Sequence, residues 1–277
     1  MSRTHATLLA LGLALAVAGC ASTTTDTTQS APKADAALDA AIAGSWRDAG
    51  NVARDRYRHP RETLAFFGVA PNQTVIEVTP GAGWYTEILA PYLSAGGHYI
   101  GAAPAAAADS AGGKRNTALR NRLAGEPAFA GGSLLEVDSK APVFGPDNGA
   151  DAILTFRNVH NWVAAGTTDA YFQAFFKALK PGGVLGVVDH RAKPGTDLEA
   201  MKKSGYLTEA LVIEHATRAG FVLEARSEVN ANPKDSANHP NGVWTLPPVN
   251  RHDAADDAMY KAIGESDRMT LRFRKPR

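Results

Sequence analysis

The sequence predicts a doubly wound α/β protein, and three observations carry that prediction. Short β-branched runs alternate with segments whose apolar residues recur at helical spacing. A glycine-rich turn, Pro80-Gly81-Ala82-Gly83, joins the first such run to a helical segment. Residues 184–188 form an unbroken apolar run, as expected of a strand covered on both faces of a parallel sheet.

The elements follow in chain order. Leu8 to Val17 is an apolar stretch behind Arg3 and His5, too short to span a bilayer but the right length for the core of a secretory signal. It runs into Val17-Ala18-Gly19-Cys20, which resembles a bacterial lipobox, and Cys20 is the only cysteine. Residues 1–19 are therefore expected to be a lipoprotein signal peptide, with Cys20 lipidated. Ala21 behind it favours the periplasmic face of the outer membrane, by resemblance to Gram-negative lipoproteins. Residues 20–37 are rich in Thr, Ser and Ala and read as a disordered tether, leaving residues 38–277 as one folded domain.

Within that domain, residues 45–67 are expected to form helices covering one face of the sheet. Residues 74–79 (T-V-I-E-V-T) read as a strand, and residues 84–93 as a helix bent near Pro91. Residues 98–102, 133–137 and 152–156 are three further strands. Residues 169–179 carry Tyr171, Phe172, Phe175, Phe176 and Leu179 on one helical stripe, closed by Lys180-Pro181-Gly182-Gly183. After the apolar strand at 184–188 come a helix at 207–219, a strand at 221–229 and a last strand near a sheet edge at 269–274. Strands separated by helices imply parallel pairing with crossover connections.

Composition narrows the function. The 277 residues hold 29 Lys plus Arg against 28 Asp plus Glu, a net charge of +1. No basic stripe accompanies that balance, which argues against nucleic acid as a partner. One cysteine excludes a disulfide scaffold and any cysteine-based zinc cluster.

In parallel sheets of this kind, ligands sit beyond the carboxyl ends of the strands, where the strand order reverses. Here that position falls on Glu77-Val78-Thr79-Pro80-Gly81-Ala82-Gly83. Gly81 and Gly83 let the backbone turn sharply and come close to a ligand. No Gly-Lys-Ser/Thr follows, which excludes a phosphate-binding P-loop. The third glycine of a nicotinamide fingerprint would fall on Thr86.

Glu77-x-Thr79-x-Gly81-x-Gly83 resembles the first motif of class I S-adenosylmethionine-dependent methyltransferases. Asp138 after the third strand resembles the acid that contacts the adenine amino group in that family. The segments at 151–156 and 179–185 are similar to the family's fourth strand and to the turn before its fifth. Together with G-W-Y-T-E-I-L-A-P-Y-L, F-R-N-V-H-N-W, V-V-D-H-R, N-P-K-D and G-E-S-D-R-M, these stretches resemble a bacterial group of exported methyltransferases over nearly all of residues 45–276. The resemblance implies a seven-stranded, Rossmann-like sheet with an antiparallel last hairpin, and S-adenosylmethionine as cofactor. It also implies cofactor-binding roles for Glu77, Thr79, Gly81, Gly83, Trp84, Tyr85, Asp138 and Asn158. Two positions depart from the family pattern. Thr79 stands where the first glycine is usual, and residues 98–104 offer no carboxylate for the ribose.

Methyl transfer needs a positioned nucleophile, a dry site and sometimes a base. Arg157, Asn158, His160, Asn161 and Trp162 follow the fourth strand, and Asp189, His190 and Arg191 follow the fifth. His160 or His190 is a candidate base, with Asp189 orienting it or accepting the proton itself. Trp84, Tyr85 and Trp162 are candidates to face a sulfonium. An Asp189–Arg191 pair closing a loop is the structural alternative. His160, His190 and Asp189 could also form a two-histidine, one-carboxylate metal site, but their spacing carries no metal signature and no metal is assigned. Tyr57, Arg58 and Arg61 could reach the site from the covering helices. The polar segment 230–244, with Asn230, Asn232, Lys234, Asp235 and His239, is either a roof over the mouth or a surface loop held by its own turns.

The expected function is a methyltransferase acting on a small molecule or an envelope component. The alternatives are a non-catalytic envelope lipoprotein that binds another ligand with the same fold, and a metal-assisted hydrolase.

Overall fold

The computed structural model describes residues 1–2 and 31–277, with side chains from residue 36 onward in the longer stretch. Residues 3–19 of the expected signal peptide, and Cys20, lie outside the described residues. Among the described residues no helix is long and apolar enough to cross a membrane.

Four helices come first among the described residues: α1 (Ala31–Ile42), α2 (Ala49–Val52), α3 (Asp55–Arg58) and α4 (Pro60–Phe67). The first begins inside the stretch read as a tether, and its buried residues Leu38 and Ala41 mark where packing starts. Next come β1 (Thr74–Val78), α5 (Thr86–Leu93), β2 (His98–Pro104), α6 (Ala111–Gly125), β3 (Ser133–Val137) and β4 (Ala150–Phe156). The remainder is α7 (Val159–Ala165), α8 (Thr168–Ala178), β5 (Leu179–His190), α9 (Leu198–Ser204), α10 (Glu209–Arg218), β6 (Val222–Ser227), α11 (Asp257–Ile263) and β7 (Arg268–Arg274).

All seven strands join one sheet in the order β3-β2-β1-β4-β5-β7-β6. β1 to β5 run parallel; β7 pairs antiparallel with both β5 and β6. The strand at 269–274 thus lies one place in from the edge, which is formed by β6. Arg272 and Arg274, the charged half of its alternation, are anchored by Glu224 of β6.

The side-chain period of two sorts the core to the two faces. Val75, Ala152, Leu154, Val184 and Val188 join Leu64, Phe67, Ile88 and Leu89 from α4 and α5. Ile76, Ile153, Leu185 and Val187 join Trp162, Phe172, Phe175 and Val212 from α7, α8 and α10. Phe67 approaches so closely that a Cβ on Gly186 would meet its ring at 2.9 Å, which is why β5 carries glycine there.

The N-terminal helices are clamped against α5 through Glu87, a buried carboxylate. It accepts from Arg122 Nη1 (2.8 Å), Asn51 Nδ2 (3.0 Å) and the Asp48 N–H (3.2 Å). Trp46 Nε1 donates to the Glu87 carbonyl (2.9 Å), and Arg47 pairs bidentately with Asp55 at 2.6 and 2.8 Å. This framework fixes Asn51, Arg54 and Arg58 over the carboxyl ends of β1 and β4.

Candidate active site

The strand order reverses between β1 and β4, so their carboxyl ends part and open a crevice. Two residues mark the parting. Thr79, the first residue beyond β1, has φ +53°, and Arg157, the first beyond β4, has φ +62°. Each keeps one sheet hydrogen bond on its outer side, Thr79 N–H to Ala102 O (2.7 Å) and Arg157 N–H to Val188 O (2.7 Å). Non-glycine residues in this left-handed region are strained, and such strain gathers at functional sites.

Thr79 thus occupies the conformation for which the family pattern usually provides glycine. A left-handed L-residue costs roughly 1–2 kcal/mol, and glycine returns part of that as unfolded-state entropy. Thr79→Gly is therefore expected to stabilise the chain by about 0.5–1 kcal/mol, read by chemical denaturation. A loss above about 1 kcal/mol would show that the threonine side chain makes a contact outweighing its strain. Gly81 (φ +62°) and Gly83 (φ +85°) continue the turn, and a Cβ on Gly81 would meet nothing closer than 4.0 Å.

The crevice contains two cavities that meet at Thr79 and Asn158. One, of about 200 Å3, is bounded by Glu77, Gly81, Tyr85, Arg58 and Arg157. The other, of about 530 Å3, is bounded by Pro104, Lys140, Asn161, Trp162 and Tyr171. Asn158 braces the junction, its Nδ2 donating to Val78 O (2.9 Å) and Thr155 Oγ1 (3.1 Å). A third cavity, of about 110 Å3, lies beyond Arg157 against His160, His190 and Trp244.

Glu77 is buried, and its Oε2 accepts from Tyr99 Oη (2.6 Å) and Thr86 Oγ1 (2.8 Å). Burial pushes its carboxyl up to about 7, against the pull of those hydroxyls and of Arg58. Asp138 is exposed just beyond β3, and its Oδ1 accepts the Lys140 N–H (2.8 Å) in a tight turn. One oxygen of the acid expected at the adenine is thus engaged by its own loop, while Ser139 and Lys140 line the larger cavity. Among the described residues no carboxylate lines that cavity.

The aromatic residues expected to face a sulfonium have partners within the protein. Arg58 lies 4.8 Å and Arg47 5.5 Å from the Trp84 ring centroid, and Trp84 Nε1 donates to Asn51 O (2.7 Å). Tyr85 stacks on Phe156 at 3.6 Å, and Trp162 on Tyr171 at 4.2 Å. Tyr85 and Phe156 still form part of the wall of the smaller cavity.

Asp189 and His160 form a buried pair. Asp189 Oδ1 accepts from His160 Nδ1 (2.9 Å) and from the His190 N–H (2.8 Å), and Oδ2 accepts the His160 N–H (3.2 Å). A carboxylate surrounded by donors fixes the tautomer with the proton on Nδ1, leaving His160 Nε2 as the basic nitrogen. His190 pairs through Nδ1 with Ser266 Oγ (2.6 Å). Burial, and then His160 and Arg157, hold its imidazole well below the ordinary range, so it is a poor proton acceptor at neutral pH. Ligand atoms of His160, Asp189 and His190 all fall within 4.8 Å of one another. A metal there would have to displace the N–H donors on Asp189 and sit close to Arg157.

Arg191 does not pair with Asp189; it binds Asp267, Glu228 and Glu209. Of the three residues considered on the covering helices, Arg58 reaches the crevice, whereas Arg61 pairs with Asp39. Tyr57 packs against Gly264, away from the crevice. None of Asn230, Asn232, Lys234, Asp235 and His239 lines a cavity of the crevice, and the segment 230–244 is held by its own turns and by ties to its neighbours. Asn230 and Asn232 tie it to Thr63, Thr270 and the 263–267 backbone, and Asp235 receives Tyr206 Oη, His239 Nε2 and the Asp267 N–H. Val243 and Trp244 at its end wall the third cavity.

The sequence reading missed Arg54, Glu265 and Arg268. Glu265 is buried and accepts from Arg54 Nε (2.7 Å), Arg58 Nε (3.1 Å) and Arg268 Nη1 (3.1 Å). The signal was present in part, since Arg54 and Arg58 are four residues apart, one helical turn, in a basic stretch.

Known structures share this fold. A SAM-dependent methyltransferase from Aquifex aeolicus matches with 16% identity over 80% of this chain and 93% of its own, with a TM-score of 0.53. A putative sarcosine dimethylglycine methyltransferase from Galdieria sulphuraria matches with 16% identity over 83% and 88%, with a TM-score of 0.55. The chain has the Rossmann-like methyltransferase fold. The cyclase SpnF matches with 16% identity over 88% and 93%, with a TM-score of 0.59, so this architecture is not confined to proteins named as methyltransferases. No protein-family model and no curated protein matches the sequence.

Within the methyltransferase fold, the crevice suits a nucleoside-sized ligand. Taken together, its two adjoining cavities fall in the roughly 300–1,000 Å3 range of small-molecule sites. The open space at Gly81 admits close backbone approach, and Arg58 Nη2 and Arg54 Nη2 are buried polar atoms without a protein partner.

Proposed function

We propose that the chain is an S-adenosylmethionine-dependent methyltransferase acting on a small molecule. The observation that carries this reading is the crevice between β1 and β4, walled by the left-handed turn 79–83 and by Asn158, within the methyltransferase fold. The turn 79–83 and Asn158 would hold the cofactor, with Ser139 and Lys140 at the far end of the larger cavity. When bound, S-adenosylmethionine supplies a methyl group on a sulfonium, whose carbon–sulfur bond breaks with its electron pair returning to sulfur as a neutral thioether.

The chain's own residues supply the rest. The stacked Tyr85 and Phe156 keep one wall dry, which strengthens electrostatic interactions inside. Arg157 separates the cofactor side from His160. The Asp189–His160 pair holds a basic nitrogen, His160 Nε2, beside the third cavity, where it takes the proton that an acceptor hydroxyl or amine releases as it is methylated. Asp189 steadies the imidazolium through its hydrogen bond from His160 Nδ1.

Calorimetric titration of the full chain with S-adenosylhomocysteine is expected to show one-to-one binding that saturates below millimolar ligand. Gly81→Val, which forces a β-branched residue into the left-handed region, is expected to weaken it at least about tenfold. No heat with the wild-type chain at millimolar ligand would end the methyltransferase reading.

A further inference from the structure

Resting on the methyltransferase reading, we propose that the methyl acceptor is an anion, a small carboxylate or phosphate whose charged group is held between Arg58 and Arg157. Both arginines line the smaller cavity, and Arg157 also lines the third cavity beside His160. An acceptor anchored on Arg157 therefore lies between the cofactor side of the crevice and the basic nitrogen of His160.

Among the described residues the guanidinium groups around the cavity outnumber the carboxylates that act on them. Arg54, Arg58, Arg157 and Arg268 act together on one carboxylate, Glu265. Among the described residues Glu77 is the one acid lining the cavity, its carboxyl pushed up to about 7 and so substantially protonated near neutrality, while Asp189 attracts Arg157 from outside it. The arginine side chains have hydrogen-bonding capacity to spare. The Arg58 side chain is only 7% exposed, yet its Nη2 has no partner, and neither does the buried Arg54 Nη2. No side-chain hydrogen bond or ion pair holds the Arg157 guanidinium among the described residues. Burial, with neighbouring guanidinium groups working against the pull of Glu265, holds Arg58 down to about 9 and Arg157 to about 10, so both remain cationic at neutral pH.

The cofactor does not supply the missing charge. S-adenosylmethionine carries a sulfonium, an ammonium and a carboxylate, a net charge of +1, and adds to the excess. Guanidinium groups bind carboxylate and phosphate through paired N–H donors, which makes those groups the fitting ligand.

Inorganic phosphate and malonate, titrated by calorimetry into the full chain with and without saturating S-adenosylhomocysteine, test this. At least one of the two is expected to bind the S-adenosylhomocysteine-saturated chain. Arg157→Met is expected to weaken that binding at least about tenfold while changing S-adenosylhomocysteine affinity less than threefold, and Arg157→Lys to fall between. Competition between anion and S-adenosylhomocysteine would overturn the proposal, assigning the guanidinium groups to the cofactor's own carboxylate. So would the failure of both anions to bind, or anion affinity unchanged in Arg157→Met. If Arg157→Met does not fold, the wild-type competition decides. Absence of S-adenosylhomocysteine heat defeats the methyltransferase reading separately, and an anion that binds the ligand-free chain and is lost in Arg157→Met then leaves only an anion-binding site.

Discussion

Glu265→Gln is expected to destabilise the folded chain by about 3–5 kcal/mol at pH 7, the usual cost of removing one partner from a buried ionic cluster. Glu265 is 3% exposed and accepts directly from Arg54, Arg58 and Arg268. Burial alone would raise its carboxyl, but Arg58, Arg268, Arg157 and Arg54 overcome it and hold the group at about 2. An amide cannot neutralise four guanidinium groups, and its NH2 would face donors. The sign of the pH effect follows from the lowered value. The stabilisation is present above the unfolded carboxyl's 4.5 and is lost as pH falls through about 2. Urea denaturation of both proteins reads this, and the variant should lack the acid limb that Glu265 contributes. A difference under about 1 kcal/mol at pH 7 would mean that the cluster is solvated or that its cations are compensated elsewhere.

Glu77→Gln has the opposite sign. Burial raises the Glu77 carboxyl from 4.5 to about 7, so the folded state holds a proton that the unfolded state has released. Its favourable contribution is complete below 4.5 and is lost as pH rises through about 7. The shift corresponds to up to about 3 kcal/mol. Glutamine keeps an oxygen to accept from Tyr99 and Thr86 and carries no charge to bury. The variant is therefore expected to match or fall slightly below wild type at pH 5 and to exceed it at pH 8 by up to about 3 kcal/mol. Equal stability differences at the two pH values would show that Glu77 does not titrate in this range.

The strands and the glycine turn were legible because they obey local rules. The apolar run at 184–188 lies inside β5, and T-V-I-E-V-T sits on β1 with Thr79 just beyond its end. Helix α6 was missed because Ala111–Gly125 contains three glycines and buries only Gly113, Asn116 and Leu123, so it has almost no apolar stripe. In the site, chain order correctly grouped Asn158, His160 and Asp189 at neighbouring strand ends. What it could not supply was side-chain pairing. Arg191 lies two residues from Asp189 in sequence but reaches Asp267 instead, and Trp84 finds its cation in Arg58. The Arg54–Arg58–Glu265–Arg268 cluster joins residues more than two hundred positions apart, a contact that no local pattern encodes.

Thr79 and Arg157 each leave the sheet while tied to it on the outer side, one to β2 and the other to β5. The two lips of the crevice are thus held apart from opposite flanks by a sheet that is already complete. A guest entering between them need not freeze its own seat, so little of its binding energy is diverted into ordering the host. Affinity here is then governed by what the lips present rather than by how far they must travel.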